Sequence, residues 1–60
     1  MEMYFSSGKK RLALDHANKR YCTDYLRLGG WKSYIKTNSA GIKELTEWAK
    51  LNGYVEVDYI

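Results

Sequence analysis

The sequence predicts a single small α+β domain: a three- or four-stranded sheet with two helices packed on one face, in the order β-α-β-α-β or β-β-α-β-α-β. Three observations predict it. Sixty residues make one domain, and a domain of that size buries only about 60% of the surface its unfolded chain exposes, so the core is small. Apolar and polar residues alternate near both ends of the chain, as in half-buried strands. Between those ends lie two stretches with helical apolar spacing, separated by glycine and by Thr-Asn-Ser punctuation.

Taken in order, Met1, Met3 and Phe5 alternate with Glu2 and Tyr4 and predict a short strand, which Ser6-Ser7-Gly8 ends. Residues 9–28 admit two readings. Leu14, Ala17, Tyr21, Tyr25 and Leu28 form one apolar stripe on a helical wheel, which favours a single long helix. That helix, however, sets Lys9, Lys10 and Arg11 against the positive end of its own dipole. Asp15 is then the better N-cap, with Lys10–Leu14 pairing with the first strand as a hairpin across the Ser-Gly turn. Both readings make residues 16–28 helical. Gly29-Gly30 stops this helix, because glycine accepts the left-handed C′ conformation.

Trp31, Ser33 and Ile35 alternate with Lys32, Tyr34 and Lys36 and predict a strand. Thr37-Asn38-Ser39 caps a second helix whose apolar face is Ile42, Leu45, Trp48 and Ala49. Lys43, Glu44, Glu47 and Lys50 fill its opposite face, and Gly53 closes it after Asn52. Tyr54–Ile60 is a final strand with Val55, Val57 and Tyr59 on one side and Glu56 and Asp58 on the other. The chain has no proline, no internal repeat and no low-complexity segment, so residues 1–60 read as one domain.

Composition bounds the function. Six Tyr, two Trp and one Phe must supply much of the core. A single cysteine, Cys22, leaves no intramolecular disulfide, which fits a reducing compartment. There is no apolar run of membrane-spanning length, and the N-terminus lacks the basic start and apolar stretch of a secretion signal. The expectation is a cytoplasmic protein without a membrane partner. The net charge of +3 is unevenly spread. Residues 1–36 carry eight cations, Lys9, Lys10, Arg11, Lys19, Arg20, Arg27, Lys32 and Lys36, against Glu2, Asp15 and Asp24. Residues 37–60 carry Lys43 and Lys50 against Glu44, Glu47, Glu56 and Asp58. Such asymmetry predicts one basic face that meets phosphates or an acidic partner, and equally fits a solvated surface that keeps a small protein soluble.

Catalytic patterns fail one by one. His16 and Cys22 are six residues apart, about 240° around a helix, so they form no local nucleophile and base pair. No second His or Cys completes an ordinary metal site. Gly8-Lys9 follows a strand as in a phosphate loop, but Met3 stands where that motif requires glycine, and Lys10 where it requires Ser or Thr. Gly29-Gly30 lacks the third glycine and the following helix of a dinucleotide fingerprint. Glu44 and Glu47 sit among lysines as an ion-pair face. The sequence thus predicts a non-enzymatic protein without catalytic, metal or cofactor residues.

The candidate contact surface is basic. In helical phase Lys9, His16, Arg20 and Arg27 fall within about 40° of one another, a cationic ridge opposite the apolar stripe. Lys9, Lys10 and Arg11 beside the Gly8 turn offer backbone N–H groups and cations to an isolated phosphate, and Lys32, Tyr34 and Lys36 add an aromatic between two cations. Arg20 and Arg27 are expected to tolerate charge reversal with little loss of stability. Arg11, Asp15 and Lys19 are spaced i,i+4, as are Arg20 and Asp24, with Arg27 three beyond Asp24, an interleaving found on any exposed helix.

Tyr, Trp and Arg, the residues that dominate interface hot spots, are abundant for this length. The Lys-, Asn- and Tyr-rich, proline-free composition resembles that of the small accessory proteins of phages and other mobile elements. That resemblance implies a regulatory or inhibitory protein that binds a host macromolecule, either a protein or a protein–nucleic-acid complex. Direct nucleic-acid binding through the basic ridge is the alternative. A homodimer formed through an exposed strand edge at Tyr54–Ile60 is a further expectation.

Overall fold

A computed structural model describes residues 2–58. It contains one five-stranded antiparallel sheet and a single α-helix, correcting the predicted sheet of three or four strands with two helices. The elements are β1 (Glu2–Ser7), β2 (Lys10–Asp15), β3 (Arg20–Cys22), β4 (Ile35–Lys36), α1 (Ser39–Leu51) and β5 (Val55–Val57), with a 3₁₀ turn at Gly30–Ser33. The strand order is β4-β3-β2-β1-β5. Edge strands β4 and β5 run parallel to each other, so α1 joins them as a crossover above the three strands between them.

Residues 9–28 form no long helix, and residues 16–28 contain no helical element. The chain takes the hairpin instead, with Ser7 opposite Lys10 across Gly8-Lys9. Gly8 has φ of 60°, as the first central residue of a tight hairpin turn that matches strand twist. Arg11 Nη1 donates to the carbonyls of Gly8 and Lys10 and fastens the tip. The stripe misleads because β2 is central and covered on both faces. Leu12, Ala13 and Leu14 are all buried, so the strand shows a continuous apolar run in place of alternation.

Asp15 does use N-cap chemistry: its Oδ1 accepts from Asn18 N at 3.2 Å. What it organises, however, is a four-residue turn. Lys19, with φ of 53° in the left-handed region, returns the chain to β3.

On one sheet face Met3, Phe5, Leu12, Leu14 and Tyr21 meet Ile42, Leu45 and Ala49 of α1, forming the core. Asn38 caps the helix by accepting from Gly41 N at 2.8 Å. Its other end closes on Gly53, φ 80°, with Tyr54 N donating to Ala49 O and the Tyr54 ring packed on Trp48. One helix about 10 Å wide cannot cover five strands spaced about 4.8 Å apart, which leaves Ile35 on β4 half in solvent.

The other face carries Tyr4, Ala13, Asp15, Arg20, Cys22 and Lys36, and residues 23–34 fold over it. This segment contains one helical turn, Leu28 N to Asp24 O, ended by bonds from Gly29 N to Leu26 O and from Gly30 N to Tyr25 O. That is the glycine stop expected from the sequence, closing a single turn. The predicted strand Trp31–Lys36 is mostly the 3₁₀ turn, and only Ile35 and Lys36 pair in the sheet. The expected strand pattern at Met1, Tyr59 and Ile60 lies outside the described residues.

Candidate functional site

The last rung of the sheet runs Glu2, Asp15, Arg20, Lys36 across four strands. Asp15, 1% exposed, accepts from Asn18 Nδ2 and from Arg20 Nε, both at 2.9 Å. Its carboxyl is held well below the usual carboxylate range, chiefly by the Asn18 side chain and then by Arg20, against the opposing effect of burial. The pair also orients the guanidinium, which lies 4.2 Å over the Trp31 ring and 5.1 Å from that of Tyr34. Trp31 in turn meets Tyr25 edge-on at 5.6 Å, and Tyr25 meets Tyr4 at 5.7 Å. Gly30 lets the chain pass against the Tyr25 ring, where a Cβ would lie 3.4 Å from Cζ.

The Tyr4 hydroxyl donates to Glu2, and this bond, with burial, pushes its pKa up to about 12. An anchored arginine, three ring systems in edge contact, and a Tyr34 that is 43% exposed therefore occupy one side of the sheet. Exposed Lys32 and Lys36 flank Tyr34, and neither forms an ion pair among the described residues.

The predicted residues divide. Arg20, Tyr34 and Lys36 come together at this end of the outer face, and Lys32 lies in the adjoining 3₁₀ turn. Lys9, Lys10 and Arg11 sit at the β1–β2 hairpin tip, five rungs or about 17 Å away along the strands. Arg27 lies in the single helical turn, bonded to Asp24 at 2.6 Å. The ridge of Lys9, His16, Arg20 and Arg27 does not exist, because no helix carries them. Arg20 itself is committed to Asp15, which makes it a positioning residue for the rings above it. Sequence reasoning missed Asp15 and Trp31. The signal for Asp15 was its five-residue spacing from Arg20, which a four-residue turn makes cross-strand neighbours.

The expected protein without metal or cofactor residues stays an expectation; among the described residues no three His, Cys, Asp or Glu side chains stand together as a metal-binding group. Nor is any described helix long and apolar enough to cross a membrane. The chain matches no protein-family model, no curated protein and no solved structure.

Proposed function

We propose that this chain is a small non-enzymatic regulatory or inhibitory protein, of the accessory type found in phages and mobile elements. It binds an acidic surface of a host protein or protein–nucleic-acid complex. The observation that carries this reading is the guanidinium of Arg20 held over Trp31 and Tyr34, with Lys36 beside Arg20 on the sheet, Lys32 in the adjoining turn, and neither lysine in an ion pair among the described residues. A preorganised arginine and aromatic cluster loses little side-chain freedom on binding, which is what a hot spot requires. The flanking lysines select for negative charge and speed the encounter. Direct nucleic-acid binding is the second reading, favoured by the exposed Tyr34 ring between two cations, a stacking arrangement for a single-stranded base.

The test is affinity capture from the source cell at physiological salt, with and without nuclease, using the wild-type chain and K32E/K36E. A partner that survives nuclease and falls about tenfold with the double variant supports the proposal. Binding abolished by nuclease transfers it to nucleic acid. Equal recovery by both chains overturns the assignment of this face.

A further inference from the structure

A second cationic concavity lies on the opposite side of the sheet, along one flank of α1. It has a volume of about 320 Å³ and is lined by Met3, His16, Lys19, Ile42, Lys43 and Lys50 among others. Its accessible apolar floor is Met3, which packs against the core over the buried Ile42. Its rim is basic: three lysines face one carboxylate, Glu47, and none of them forms an ion pair among the described residues.

Two contacts fix the turn side of the groove. Lys19 Nζ donates to His16 O at 2.6 Å, and the His16 ring meets Met3 Sδ at 3.1 Å. Lys43 and Lys50 are seven residues apart on α1, placing their cations on one face about 10 Å apart.

We propose that this groove docks an acidic amphipathic peptide segment of a partner protein. An apolar side chain of the segment rests on Met3 and the aliphatic stems of the lysines, while its carboxylates meet Lys43 and Lys50, with Lys19 closing the end. Charge complementarity selects this occupant, and the apolar floor distinguishes it from a phosphate backbone, which would gain nothing from Met3. The inference goes beyond the outer-face reading and does not depend on it, because the two surfaces lie on opposite faces of the sheet.

The test uses a fluorescent peptide of about twelve residues in which leucines alternate with pairs of glutamates, followed by anisotropy. A glutamine-substituted peptide and a single-stranded oligonucleotide of similar length serve as comparators. Circular dichroism confirms that K43E/K50E, altered only at exposed positions, remains folded. The expected result is saturable binding weakened about tenfold by K43E/K50E, lost with the glutamine peptide and unchanged by K32E/K36E. The proposal is overturned if saturable binding is absent, if K43E/K50E binds equally well, or if the oligonucleotide displaces the peptide with the same dependence on Lys43 and Lys50.

Discussion

Arg20 Nε donates to Asp15 Oδ2 at 2.9 Å, and the two residues are direct cross-strand partners on the last rung before the β2–β3 turn. Asp15 keeps 2% of its side chain in solvent and Arg20 22%. Removing the arginine therefore leaves a buried carboxylate with Asn18 alone, and charge reversal adds repulsion. Arg20→Glu should cost about 3 kcal/mol, a large share of the stability of any small domain. Thermal unfolding should show a melting temperature lower by about 15 °C. Arg27→Glu, at an exposed pair with Asp24, should leave it nearly unchanged. The Asp15 pair thus predicts that charge reversal is tolerated at Arg27 and not, as expected from the sequence, at Arg20 as well. Similar losses for the two variants would mean that the Asp15 pair is not structural.

The same carboxylate sets an acid limit. Its pKa is lowered in the folded protein, so its contribution to stability is complete above the unfolded value of about 4 and is lost as pH falls below that. Urea unfolding followed from neutrality to about pH 2 should show a steep acid limb for the wild type. Asp15→Asn, less stable at neutrality, should have a shallower one. Parallel limbs would assign the acid loss to the other carboxylates.

Tyr4 sets the opposite limit. Because its pKa is raised to about 12 by the Glu2 hydrogen bond, the stability this bond provides is complete below the ordinary phenol value near 10. It is lost as pH climbs from there through about 12. A phenolate absorbance titration should show a late step that disappears in Tyr4→Phe and moves to lower pH in Glu2→Gln. An unchanged late step in both would place the raised phenol elsewhere.

Gly41 lies in the first turn of α1, where alanine ordinarily stabilises a helix by about 1 kcal/mol. Here the added Cβ would overlap Thr37 Oγ1, and Thr37 is pinned by its N–H bond to Lys19 O at 2.8 Å. Gly41→Ala should therefore destabilise, with Gly41→Ala/Thr37→Ser recovering part of the loss because a serine hydroxyl can rotate away. A gain in stability for the single variant, read by chemical denaturation, would show that the Thr37 side chain swings aside freely.

Much of the local chemistry is legible in the sequence alone. Asn38 caps α1, Gly53 closes it, Gly29 stops a helical turn, and Ile42 and Ala49 face the core. Each of these depends on a few neighbouring residues whose side chains satisfy nearby backbone groups. The interface is legible only in part. Lys32, Tyr34 and Lys36 are close in sequence, whereas the placement of Arg20 depends on a sheet register that no helical wheel contains.

By itself the sequence determined the length of the chain, its aromatic and basic character, the caps and stops of α1, and the turn at Gly8, whereas Asp15, expected to cap a helix, organises the β2–β3 turn. The tertiary structure decided whether residues 10–22 would be helix or sheet. Leu12, Ala13, Leu14 and Cys22 are buried because α1 covers one face of β2 and β3 and residues 23–34 cover the other. A strand enclosed on both sides carries apolar residues at successive positions, and such a run has no periodicity of its own to set against a helical stripe. Only the two layers, arriving from distant parts of the chain, resolve it.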